Sequence, residues 1–290
     1  MNVNFTKMQS AGNDFILIEE KEAIKNYPAF ARFACDRHFG IGADGVLVLT
    51  KALKVDAGMK MFNPDGSEAE ACGNGLRCLA KYCFDNGFAR GGVLAIETLA
   101  GVREARIIKS DATGTIIETS MGKPAFEALD IPVKQGGVKP RKVVDITVFL
   151  DYPLVVDGFE LNLALASMGN PHAVHFTNEP VKDFPLSCIG PLVENSQIFP
   201  NKTNFEVVRI IDRNIVEARV WERGAGETLA CGSGASAIGV LSQLAGFTDN
   251  PVTVKLLGGE LEVSWKISEE VYIKGMPVTV YCGKLLNTNY

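Results

Sequence analysis

Apolar residues fall along this chain in short alternating or continuous runs: Phe15 to Ile18, Val46 to Leu49, Val93 to Glu97, Ile116 to Ser120, Val143 to Leu150, Phe205 to Ile210, Val216 to Trp221, Val252 to Leu256, Leu261 to Trp265 and Val278 to Tyr281. Short runs of this kind bounded by Gly, Pro, Asn and Asp read as strands, so most of the chain is predicted to be β. Two stretches carry the helical period instead. Gly73 to Asp85 repeats apolar residues at 76, 79, 80 and 83 and stops near Gly87, while Gly232 to Ala245 gathers Ile238, Leu241 and Ala245 on one side and stops at Gly246. Both carry little charge, and a helix that is apolar nearly all round is a buried one. Each is expected at the centre of its own curved sheet.

The two helices open alike, with Ala71-Cys72-Gly73-Asn74-Gly75 and Ala230-Cys231-Gly232-Ser233-Gly234, 159 residues apart at the cysteine (231 − 72). Gly12-Asn13-Asp14-Phe15 and Gly169-Asn170-Pro171-His172 form a second matched pair, 157 apart at the asparagine (170 − 13). Two anchors with nearly the same offset indicate an internal duplication. The expected architecture is α/β, more closely α+β: two pseudo-symmetric halves, each a mainly antiparallel sheet curved around a central helix, facing each other across one cleft. The join is placed near Gly122 to Phe126, where Gly-Lys-Pro-Ala-Phe breaks the strand pattern. That divides the chain into residues 1–122, to which 277–290 are expected to return, and 123–276.

Composition narrows the function. A chain of 290 residues, 47% of them hydrophobic, has enough apolar surface for one large core or two modest ones. A formal net charge of −5 gives no basic face for a nucleic acid. The first ten residues are too polar for a signal peptide, and no apolar stretch is long enough to span a bilayer, so a cytoplasmic protein without a membrane partner is expected. Seven cysteines, an odd number without C-x-x-C spacing, and three scattered histidines argue for reduced thiols and against a metal site.

Cys72 and Cys231 differ from the other five cysteines in context. A cysteine just before a helix meets unsatisfied backbone N–H groups and the positive end of the helix dipole, which favour the thiolate and lower its pKa. The neighbouring glycines let a ligand reach that backbone, and the same N–H groups suit a carboxylate. Two such sites around one amino acid would hold its carboxylate and flank its α-carbon with two thiols, one to remove the α-hydrogen and one to return a proton on the opposite face. Such chemistry needs no cofactor. Cys35, Cys78, Cys83, Cys188 and Cys282 read as small buried hydrophobes. Gly40-Ile41-Gly42-Ala43-Asp44-Gly45 matches a dinucleotide fingerprint in spacing only, because a strand follows it, and Gly232 to Ala237 follows a loop-like Gly224 to Thr228.

Phe62-Asn63-Pro64-Asp65-Gly66-Ser67 followed by Cys72-Gly73-Asn74-Gly75-Leu76-Arg77-Cys78, and Glu222-Arg223-Gly224-Ala225-Gly226-Glu227-Thr228 leading to Cys231-Gly232-Ser233-Gly234, resemble the two cysteine signatures of the diaminopimelate epimerases. The segments at Asn13 and at Ser167 to His172 resemble two more of that family's motifs, and the likeness runs over essentially the whole chain. It implies interconversion of LL- and meso-diaminopimelate in lysine biosynthesis, without pyridoxal phosphate, by a homodimer. It also implies roles: Cys72 and Cys231 as acid/base thiols; Gly73, Asn74, Gly232 and Ser233 as backbone donors to the reacting carboxylate; His172 and Glu222 as groups that bind the reacting amine and tune the thiols; Asn13, Asn63, Asn170, Asn204 and Arg223 as holders of the distal end of the substrate. Asp65 and Ser67 read as turn formers, and His175 falls outside the motifs. The likeness is looser at Met276-Pro277 and at Gly45. A racemase of the same fold acting on another amino acid would share both thiols but not need Asn63, Asn204 and Arg223.

Overall fold

The computed structural model describes residues 2–21, 24–69, 72–89 and 91–286, so Ala71, the first residue of the Ala-Cys-Gly motif, lies outside the described residues. The chain divides into two compact units, residues 2–120 with 274–286, and residues 121–273. The first contains β1 (Val3–Ser10), β2 (Asn13–Glu19), α1 (Tyr27–Ala34), β3 (Gly45–Thr50), β4 (Ala57–Phe62), β5 (Glu68–Ala69), α2 (Gly73–Asp85), β6 (Val93–Thr98), β7 (Gly101–Asp111) and β8 (Gly114–Ser120). The second contains β9 (Arg141–Val143), β10 (Ile146–Val148), β11 (Tyr152–Val156), β12 (Phe159–Ser167), β13 (Pro171–Thr177), α3 (Leu186–Glu194), β14 (Asn204–Ile210), β15 (Ile215–Glu222), β16 (Gly226–Thr228), α4 (Gly232–Leu244), β17 (Val252–Leu256) and β18 (Gly259–Trp265). The short strand β19 (Val271–Gly275) and the last strand β20 (Pro277–Leu285) follow.

Within the first unit the strands pair in the order β20, β1, β2, β3, β4, β6, β7, β8, parallel at β2–β3 and β4–β6 and antiparallel elsewhere. The outer strands β8 and β20 come into contact, so the sheet curls round α2, which packs on β1, β2, β3, β4, β7, β8 and β20. Met8, Phe15, Leu17, Leu47, Leu76, Leu79, Cys83, Ile96 and Ile117 fill the space between. The second unit repeats the scheme as β11, β12, β13, β14, β15, β17, β18, again parallel at the β13–β14 and β15–β17 steps, with α4 against β12, β13, β14, β17 and β18. The matched Gly-Asn segments open the parallel β2–β3 and β13–β14 crossovers, which hold α1 and α3, and the matched Cys-Gly segments lie in the parallel β4–β6 and β15–β17 crossovers, where they open α2 and α4.

Helix packing follows from small residues. Gly239 in α4 lies so close to β18 that an added Cβ would fall 2.6 Å from a Val263 methyl carbon, which explains why this helix carries Gly and Ala where a surface helix carries Leu or Lys. Two sequence readings need correction. Val143 to Leu150 is not one strand: Val144 takes a positive φ of 54° and the chain reverses into the β9–β10 hairpin. Gly224 to Thr228 is not all loop, because its second half is β16, paired with β15. Among the described residues no helix is long and apolar enough to cross a membrane.

Candidate active site

In the first unit the candidate residues gather where β2 begins and α2 begins. Cys72 is the N-cap of α2, with extended backbone (φ −138°, ψ 119°), and its side chain is half-buried. Its thiol donates toward Asn13 Oδ1 at 3.7 Å, and the Asn74 amide donates to the same oxygen at 3.3 Å. Asn13 in turn donates to Asp44 at 2.8 Å, in the loop that leads into β3. Asp44 and Asp14 share Arg37, and Asp14 also pairs with the buried Lys7 at 2.5 Å. Burial alone would raise the Asp14 carboxyl, but hydrogen bonds and charge from Arg37 and Lys7 outweigh it and hold it at about 2. The turn that carries Asn13 is therefore fixed from beneath by a charged lattice.

Gly73 and Asn74 are buried in the first turn of α2, where backbone N–H groups lack helical partners. Asn63 stands apart from this group. It opens the turn after β4, where its amide donates to Ser67 Oγ at 3.0 Å and its N–H to Ser67 O at 2.8 Å, and Asp65 accepts from Ser67. Asp65 and Ser67 thus serve the turn, as their spacing suggests.

In the second unit Cys231 is the N-cap of α4 with nearly the same backbone (φ −122°, ψ 120°). Its sulfur accepts from the Gly234 N–H at 3.4 Å and lies 3.4 Å from Ser233 Oγ. Asn170 donates to Ser233 Oγ at 3.4 Å and its Oδ1 lies 3.0 Å from His172 Nε2. His172 Nδ1 is 2.7 Å from Glu206 Oε1, and both side chains are fully buried. Glu222 accepts from Thr228 Oγ1 at 2.6 Å. A continuous set of polar contacts thus runs from Glu206 through His172, Asn170 and Ser233 to Cys231. Asn204 is engaged with backbone: it donates to Pro171 O at 2.8 Å and accepts from the Arg223 N–H at 2.9 Å. The exposed Arg223 guanidinium reaches Asn201 O at 3.1 Å.

The electrostatics of Cys231 correct a simple view of helix-start thiols. Burial pushes this thiol well above its ordinary range, and the charges of Glu222 and Glu206 push the same way; the hydrogen bonds from Ser233 and Gly234 act against them and lose. Gly232 opens the first turn but cannot by itself offset desolvation. Glu206 is likewise raised, first by burial and then by Glu222, with His172 opposing, and its second oxygen has no partner among the described residues.

Glu206 was not among the residues singled out by sequence. Its signal was present: a carboxylate two residues after Asn204 within the run Phe205 to Ile210. Because β14 is buried on both faces from Asn204 to Val208, the alternation that would mark it as facing inward is missing. Asp44, beneath Asn13, lies in a glycine-rich loop, where no periodicity marks it.

Two units, each a sheet wound round a buried helix that starts on a cysteine, make a fold also seen in the solved structures of a phenazine biosynthesis protein and of a probable proline racemase. A probable proline racemase from Agrobacterium radiobacter superposes with a TM-score of 0.71 over 99% of this chain and 94% of its own, at 14% identity. Sequence narrows the class: the diaminopimelate epimerase family model matches residues 5–127 and 164–281. The diaminopimelate epimerase of Acetivibrio thermocellus is 42% identical over 285 residues, 98% of each chain, and that of Brachyspira hyodysenteriae is 42% identical over 278 residues, 95% of this chain and 96% of its own. This chain belongs to the diaminopimelate epimerase family.

Proposed function

We propose that this protein interconverts LL- and meso-2,6-diaminopimelate by a two-base exchange between Cys72 and Cys231, without an organic cofactor or metal. The observation that carries this reading is the pair of cysteines with matching extended backbone at the starts of α2 and α4 in a chain of this family.

The α-hydrogen of an amino acid is a poor acid, so its removal depends on stabilising the charge that develops on the adjacent carboxylate. The N–H groups of Gly73, Asn74, Gly232 and Ser233 suit that charge, since donors fixed in place need no reorganisation as the charge forms. One cysteine, as thiolate, takes the hydrogen; the other, as thiol, delivers a proton to the opposite face of the same carbon, and the configuration inverts. The two roles exchange in the reverse direction, and the pair titrates jointly. His172 and Glu222 receive the reacting ammonium, and the negative charge of Glu222 also keeps Cys231 protonated. Asn13, Asn63, Asn170, Asn204 and Arg223 hold the distal amino-acid end. Asn204 acts by fixing the Arg223 backbone, and the Arg fork suits a carboxylate.

Membership of the family also supports a cytoplasmic homodimer on the route to lysine. A panel of reduced amino-acid assays in deuterated water tests the substrate: exchange of the α-hydrogen is expected with diaminopimelate and not with proline or histidine, and the reverse pattern would overturn the assignment. Sedimentation equilibrium tests the dimer.

A further inference from the structure

Helix α2 buries a charge that no carboxylate among the described residues neutralises. Arg77 is 0% exposed, and its guanidinium donates to three neutral oxygens: Ser10 Oγ at 3.2 Å, Thr119 Oγ1 at 3.4 Å and Asn74 Oδ1. No carboxylate among the described residues lies within ion-pairing distance of it. Burial brings its pKa down to about 10, so it is still a cation at neutral pH. An unpaired buried guanidinium is costly, and neutral acceptors return only part of what water would provide.

The groups that would favour the cation, when ionised, are Cys78 within the helix and Cys72 at its N-cap. Cys78 is fully buried, and desolvation pushes it far above the ordinary thiol range, so it remains protonated. Cys72 is half-buried and stands at the positive end of α2. Arg77 also grips Asn74, which shares Asn13 Oδ1 with the Cys72 thiol, so the guanidinium is tied to the cysteine by geometry as well as by charge.

The second unit places its charge differently. Five residues after Cys231 stands Ser236, which donates to Gly232 O at 3.0 Å, where Arg77 follows Cys72 by the same count. Glu206 lies two residues beyond the strand partner of His172, and the corresponding place beyond the Phe15–Gly45 pair is Leu47. The duplication thus holds Arg and Leu near one thiol and Ser and Glu near the other.

We propose that Arg77 is a positioning residue that makes Cys72 the thiolate of the free enzyme, while Cys231, beside Glu222 and Glu206, is the thiol. The inference rests on the two-thiol reading above. The other charged or titratable groups toward α2 are Asp44, reached through Asn13, and Glu19 and Cys282, which face Tyr82 and Cys83 near the far end of the helix; β1 and β8 present the neutral Ser10 and Thr119.

The test is the pH dependence of iodoacetamide alkylation in the absence of substrate, followed cysteine by cysteine by peptide mass spectrometry. The midpoint of each curve reports thiol ionisation, whereas accessibility changes only its height. The Cys72 midpoint is expected below that of Cys231. Arg77→Gln should raise the Cys72 midpoint by about one unit or more, a tenfold loss of thiolate, and leave Cys231 in place, while Arg77→Lys should restore most of the shift. An unmoved Cys72 midpoint in folded Arg77→Gln, or a Cys231 midpoint below that of Cys72, overturns the proposal. Should Arg77→Gln not fold, the order of the two midpoints in the parent protein and the response of Arg77→Lys decide. Because no substrate is present, a failure here leaves the epimerase reading standing, and loss of the epimerase reading leaves these midpoints unchanged.

Discussion

Cys231 shows what a single residue's surroundings do to its chemistry. Its thiol is raised by burial first and by Glu222 second. Glu222→Gln removes the second cause and leaves the first, so the alkylation midpoint of Cys231 should fall by about one pH unit; a midpoint that stays in place would show that Glu222 does not act on the thiol. The sign follows from the thiolate, which a neighbouring carboxylate disfavours. Cys72→Ala and Cys231→Ala should each reduce epimerisation by about a thousandfold or more, with melting temperatures close to the parent's, since each removes an acid/base group and only one sulfur atom. Full activity in either variant contradicts the two-base scheme. Glu206 escaped notice at this scale because one carboxylate in a strand buried on both faces leaves no periodic signature.

At the scale of elements, the helices that carry the thiols depend on how closely the sheets approach them. Gly239→Ala would drive a Cβ to 2.6 Å from Val263, so we expect a loss of about 1–3 kcal/mol in denaturant melts, and no loss if α4 can shift away freely. The β2–β3 edge that presents Asn13 depends instead on charge. Asp14, whose side chain is 16% exposed, is held at about 2 by Arg37 and Lys7 against the effect of burial. A carboxyl lowered on folding stabilises the native state above its ordinary pKa near 4, and that contribution disappears as pH falls toward about 2. Asp14→Asn should therefore cost roughly 2 kcal/mol at neutral pH and flatten the stability profile over that acid window. A parent profile already flat there would refute the assignment. The elements that sequence missed have local reasons: α1 is only eight residues long and contains Pro28, α3 holds Pro191 in its interior, and β7 is so exposed that its charges mask its alternation.

For the whole molecule, the repeat was legible because it is written in residues whose backbone roles are strict. Helices α2 and α4 both begin at Gly after a capping Cys and end ahead of Gly87 and Gly246, so their lengths could be read closely. The sheets were legible as mostly β, but the parallel steps β2–β3 and β13–β14 were not, because partners in a parallel pair are set by distant packing and not by a local turn. The candidate site was readable where chemistry forces a residue type, at the thiols, and much less so where a side chain works through local hydrogen bonds, as Asn63 does with the Ser67 hydroxyl and Asn204 with the Pro171 and Arg223 backbone. What remains central is the reaction. Proton NMR of LL-diaminopimelate with reduced protein in deuterated water tests it most directly: deuterium should enter at an α-carbon as the meso isomer forms, with no cofactor added, whereas an α-proton signal that persists undiminished, with no meso isomer, would contradict the account.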